Sequence, residues 1–173
     1  MVYTIGHSTL PLDAFIARLE AHGVQALADV RRFPASRRHP HFNRDALEAA
    51  LGRESIAYHW LPALGGRRAP RRDSRNSGWR NASFRGYADY METPPFREGI
   101  GRLLDIARER PTAIMCAESL WWRCHRALIA DYLTAVGVAV VHIVDEARSE
   151  PHRLTGPARI VNGVLTYAEE RLI

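Results

Sequence analysis

Lysine is missing from this chain of 173 residues, and all 24 of its basic residues are arginine. That absence excludes Schiff-base chemistry and any lysine general base. Cysteine is scarce as well, with only Cys116 and Cys124, so no disulfide framework is expected and the thiols read as free in a reducing compartment. No apolar run approaches the roughly 20 residues of a membrane span, and the N-terminus has no signal-like pattern. The expectation is a cytoplasmic protein without membrane contact. Acidic residues number 19, which leaves a formal net charge of +5. An arginine surplus suits bidentate contact with phosphate, although a GC-rich genome produces the same bias.

What is present fits one α/β domain over residues 1–173, long enough to bury about 70% of its unfolded surface. Val2 to Ile5 reads as a strand, with Leu12, Phe15, Ile16 and Leu19 as the face of a following helix that Gly23 ends. Val24 to Val30 is a second strand, and Asn43 is placed as the N-cap of a helix stopped by Gly52. Ile56 to Leu61 is a third strand, and helices follow around Tyr87 and around Leu103. Val138 to Val144 has the continuous apolar character of a strand buried on both faces. Asn162-Gly163 has the composition of a two-residue hairpin turn. The order predicts a mostly parallel central sheet flanked by helices, with a C-terminal hairpin.

The densest chemistry lies in Ala113 to Arg126, AIMCAESLWWRCHR. It reads as strand, loop and helix, so Cys116 and Glu118 leave the carboxyl end of a strand while Cys124, His125 and Arg126 open a helix. Ligands of open α/β sheets sit at that edge. His7 and Ser8 follow the first strand, and Asp29 and Arg31 close the second, so the three strand ends are expected to share one cleft. His142, in an apolar strand, reads as a satisfied core histidine, and Trp121 and Trp122 as anchors of their loop.

Arg67 to Arg85 lacks apolar periodicity and holds seven arginines together with Trp79 and Phe84. Arg67, Arg68, Arg71, Arg72, Arg75 and Trp79 have the composition of a nucleic-acid contact, and equally that of a solvated loop.

Several motifs together resemble the family called domain of unknown function 488. They are Thr4-Ile5-Gly6-His7-Ser8, Ala28-Asp29-Val30-Arg31 with Pro34 and Ser36, Tyr58 before Leu64-Gly65-Gly66, Phe84 to Tyr90, and Met115-Cys116-Ala117-Glu118 leading to Cys124-His125-Arg126. The resemblance implies a compact α/β domain and no agreed activity. A weaker similarity links Asp29-Val30-Arg31 and the strand, cysteine loop and helix to rhodanese and cysteine-phosphatase domains. The first arginine after Cys116 is Arg123, one position too far for the phosphatase spacing.

The leading expectation is a small enzyme acting on a phosphate-containing ligand, either a nucleotide or a nucleic acid. Cys116, Glu118, Cys124 and His125 would be catalytic, and His7, Ser8, Asp29, Arg31 and Arg126 would bind the ligand. A non-catalytic nucleic-acid-binding module is the second reading, and a thiol redox or metal-sensing protein the third. Cys116, Cys124 and His125 are candidate metal ligands, but two cysteines at Cys-x7-Cys-His spacing match no standard structural zinc knuckle.

Overall fold

Residues 1–169 are described by the computed structural model, and a mostly parallel mixed sheet organises them. In chain order the elements are β1 (Val2–Gly6), α1 (Leu12–Ala21), β2 (Ala26–Asp29), α2 (Arg44–Arg53), β3 (Ala57–Trp60), α3 (Ala82–Tyr90), α4 (Pro94–Glu109), β4 (Thr112–Cys116), α5 (Arg126–Ala135) and β5 (Val140–Ile143). Three short strands follow, β6 (Ser149–Pro151), β7 (Arg159–Val161) and β8 (Val164–Thr166). The six-stranded sheet has the order β3-β2-β4-β1-β5-β6. Its first five strands are parallel, and β6 pairs antiparallel with β5. Strands β7 and β8 form the separate hairpin, turning through Asn162 and Gly163 at φ of 51° and 77°, as a type I′ turn requires.

Side-chain alternation divides the core into two layers. On β4, Ala113 and Met115 join Phe15, Leu19, Leu47 and Leu51 from α1 and α2, whereas Ile114 joins Leu103, Ala127, Leu128 and Leu133 from α4 and α5. The same alternation sends Cys116 to the α5 face. Both faces are covered, which accounts for the near-continuous apolar strands. The chain leaving β1 turns toward the α1 layer and the chain leaving β4 toward the α5 layer. Ligand clefts of open sheets lie where neighbouring strands part in this way.

Several local expectations are corrected. Gly52 remains inside α2, which ends at Arg53, and the reversal falls at Ser55 with φ of 59°. Asn43 occupies the N-cap position of α2 but makes no side-chain cap, because its Oδ1 accepts from the Ser36 amide at 2.6 Å. Cys124 is extended and His125 caps α5, so that helix opens at Arg126. Strand β6 carries no apolar pattern in Ser149-Glu150-Pro151; its residues are exposed and it joins the sheet through backbone pairing alone.

Two buried carboxylates fasten irregular segments to helices. Asp89 on α3 accepts from the Arg71 amide, Ser74 Oγ and Asn76 Nδ2, at 2.6 to 2.8 Å. These bonds tie the arginine-rich segment to the helix that follows it. Asp131 on α5 accepts from His152 Nε2, the Thr155 amide and hydroxyl, and Tyr167 Oη, which docks the C-terminal segment. Each carboxylate is compensated by several donors, the condition under which a buried charge is tolerated. Among the described residues no helix is long and apolar enough to cross a membrane.

Candidate active site at the sheet edge

Parallel pairing aligns Gly6 with Cys116 and Asp29 with Met115, which sets the three strand ends side by side. The loops after β1 and β4 then run together, with the His7 amide donating to Cys116 O and the Ser8 amide to Ala117 O. Gly6 permits this approach: a Cβ there would lie 1.9 Å from the Glu118 carbonyl oxygen.

A cleft of about 580 Å³ opens at this edge, within the usual range for small-molecule sites. His7, Ser8, Arg31, Arg67, Cys116, Glu118 and His125 all line it, as do Arg32, Ser36, His39 and Gly66. Ser8 and Arg67 have φ of 45° and 59°, a left-handed conformation that L-residues adopt at a cost. Such conformations gather at functional sites.

Arg31 is held in place on the cleft wall. Its Nε and Nη2 donate to both oxygens of Asp29, at 2.9 and 2.6 Å, and Nη2 also donates to Phe42 O. Burial works against the guanidinium charge, but the Asp29 contacts outweigh it and raise the Arg31 pKa. Tyr58 completes the group by donating to Asp29 at 2.6 Å, its phenol kept protonated by burial and by the carboxylate. His7 stacks on Phe42 and donates from Nδ1 to Ser8 O, leaving Nε2 to accept from Arg31 Nη1 at 3.3 Å. Burial lowers its pKa to about 4, in keeping with a neutral ring in that role.

The sulfur end is equally directed. His125 Nε2 lies 3.1 Å from Val30 O, so it carries the proton, and Nδ1 presents its lone pair to Cys124 Sγ at 3.6 Å and Cys116 Sγ at 4.0 Å. The hydrogen bond with Cys124, followed by burial, raises the Cys116 pKa. Burial opposes ionisation of Cys124 as well, but the Cys116 thiol and the Arg126 guanidinium lower its pKa. Cys116 is the sulfur that meets the cleft, and Cys124 sits behind it.

Three residues expected to act on a ligand lie behind the cleft wall. Asp29 is fully buried against Arg31 and Tyr58. Cys124 is 4% exposed, and Arg126 only 1%. The Arg126 guanidinium is occupied by the carbonyls of Glu118 and Ser119, by Thr4 Oγ1 and by Cys124 Sγ, so it shapes the loop after β4 and has no face left for an anion. Thr4 in turn donates to His142 Nδ1, whose Nε2 donates to His152, whose Nε2 donates to Asp131. His142 is thus a satisfied core histidine, and Trp121 stacks on it at 4.1 Å and 3°. Trp122 remains half exposed.

The arginine-rich segment is divided in its commitments. Arg67 lines the cleft, Arg68 lies over the Tyr90 ring and donates to Gly65 O, and Arg71 pairs with Glu92. Arg72 and Arg75 face solvent. Trp79 packs against Phe84 and Tyr167.

Sequence reasoning passed over Arg32, His39 and Gly66. The signal for Gly66 was the Gly65-Gly66 pair itself, since neither residue has positive φ and so both are glycine for want of space. A Cβ on Gly66 would stand 2.9 Å from His125 Nδ1, and one on Gly65 would stand 2.8 Å from Arg32 Cα.

Comparison with curated proteins and with solved structures returned no match. A family model does match residues 11–133, a span that holds the sulfur cluster, Asp29 and Arg31 but leaves out His7 and Ser8. On that match the chain belongs to the family described as domain of unknown function DUF488.

Proposed function

We propose that the protein is a small enzyme that holds a phosphate-containing ligand of nucleotide size in the sheet-edge cleft and acts on it at the Cys116 end. The carrying observation is that Arg32, Arg67 and Cys116 line one cavity with His125. Arg31 is balanced by Asp29, which leaves Arg32 and Arg67 as the surplus positive charge, facing one carboxylate among the described residues, Glu118. Arginine forks suit phosphate oxygens. Cys116 is the sulfur the ligand meets, with His125 Nδ1 beside it, and Glu118 is the acid–base group at the rim. The Glu118 carboxylate is steadied by the Leu120 amide at 3.0 Å.

A panel of nucleotides and sugar phosphates tests this by thermal shift and by turnover. A ligand at 100 times its Kd should stabilise the protein by about 2.7 kcal/mol. Arg32→Ser/Arg67→Ser should fold with a similar melting temperature and lose that stabilisation. If no phosphate ester shifts the wild type, or the double variant responds equally, the reading fails.

A further inference from the structure

We infer that Cys116, Cys124 and His125 form a metal centre, a two-thiolate, one-imidazole site suited to zinc, with its fourth position open to the cleft. It deepens the proposed function and rests on it only for the identity of what occupies that fourth position.

Distance is the first support. The three donor atoms lie within 4.8 Å of one another. Tetrahedral zinc with Zn–S of about 2.3 Å and Zn–N of about 2.05 Å separates sulfur from nitrogen by about 3.6 Å and two sulfurs by about 3.8 Å. Cys124 Sγ and His125 Nδ1 are already 3.6 Å apart, and Cys116 Sγ is 4.0 Å from the same nitrogen. Closing the set around an ion needs only small side-chain rotations.

Orientation is the second. A metal-binding histidine ordinarily donates its other ring N–H to a carbonyl or carboxylate, and His125 does so from Nε2 to Val30 O. That leaves Nδ1 unprotonated and aimed at the sulfurs. Arg126 Nε donates to Cys124 Sγ at 3.4 Å, the kind of outer hydrogen bond that supports a ligating thiolate. Room is the third. Gly66 leaves clear the space beside Nδ1 that a Cβ would enter at 2.9 Å.

The donor set decides the class of metal and of site. Two thiolates and an imidazole favour zinc over the oxygen-seeking cations. Among the described residues only three protein ligands come together here, and Cys116 and His125 both border the cleft, so a water or a ligand oxygen can complete the tetrahedron. On binding, both thiols release their protons to solvent, and the two thiolates neutralise the dication. A metal with a free position polarises a bound oxygen as a Lewis acid, the chemistry a phosphate-containing ligand would meet in this cleft.

Cobalt(II) titration of chelator-treated protein, followed by zinc, tests the site. The wild type should bind a single cobalt ion per chain with a near-ultraviolet sulfur-to-cobalt charge-transfer band and strong tetrahedral bands in the red, all abolished by zinc. Cys116→Ser and Cys124→Ser should each weaken the charge-transfer band, and His125→Ala should lower affinity. Gly66→Ala should weaken binding while circular dichroism shows the fold retained. Arg32→Ser/Arg67→Ser should bind cobalt normally even where it has lost phosphate esters, which separates this inference from the anion reading. Absence of the thiolate band in folded wild type, or an undiminished band in Cys116→Ser, overturns it.

Discussion

His7 and His142 are buried and neutral, and at the scale of single residues they set how the protein responds to acid. Burial is the main cause in both, lowering His7 to about 4 and His142 to about 3 from an ordinary 6.5. A histidine with a lowered folded-state pKa takes up its proton more readily when unfolded, so folding stability is full above 6.5 and falls as pH drops toward the folded value. The melting temperature should therefore decline as pH is lowered from about 6.5 to about 4. His7→Asn, which cannot take up a proton, should make that decline shallower. Equal pH profiles for wild type and variant would show that His7 is not held neutral. Charged residues were harder to place from sequence. Asp29 and Arg126 were legible as strand-end and helix-start groups, but they turn inward and spend their charge on Arg31, Tyr58 and backbone carbonyls. Proximity in the chain identifies the cluster without telling which members face solvent.

At the scale of elements, close backbone crossings hold the site and its surroundings together. The arginine-rich segment crosses α3 at Gly86, where a Cβ would lie 2.0 Å from the Arg68 carbonyl oxygen. Asp89, one turn further along α3, then gathers Arg71, Ser74 and Asn76. Gly86→Ala should cost roughly 1–3 kcal/mol, the usual range for overpacking, and should open the segment to proteases. Unchanged melting and unchanged proteolysis would mean that the segment is not anchored there. Helices were readable because a period of 3.6 selects one apolar face, and parallel strands because burial on both faces leaves short, nearly continuous apolar runs. This segment was not, since its fastening is polar and comes from a later helix. Strand β6 escaped for a related reason: three exposed residues pair through backbone groups common to every sequence.

At the scale of the whole molecule, a parallel sheet with parting connections brings residues from distant parts of the chain to one edge. His7, Arg31, Cys116 and His125 meet there because β1, β2 and β4 end together and α5 begins beside them. That convergence was readable from strand order alone. The contribution of Arg32, His39 and Gly66 was not, because they come from loops whose paths no periodicity fixes. The central claim is that the sulfur cluster and the cationic wall share one accessible cleft. Differential alkylation tests it most directly: folded, chelator-treated protein is exposed to a small neutral thiol reagent, and peptide mapping follows Cys116 and Cys124 separately. Cys116 should be modified while Cys124 stays protected, and a phosphate ester that raises the melting temperature should slow the reaction at Cys116. Modification of Cys124 at the same rate, or a Cys116 rate indifferent to that bound ester, would contradict the account.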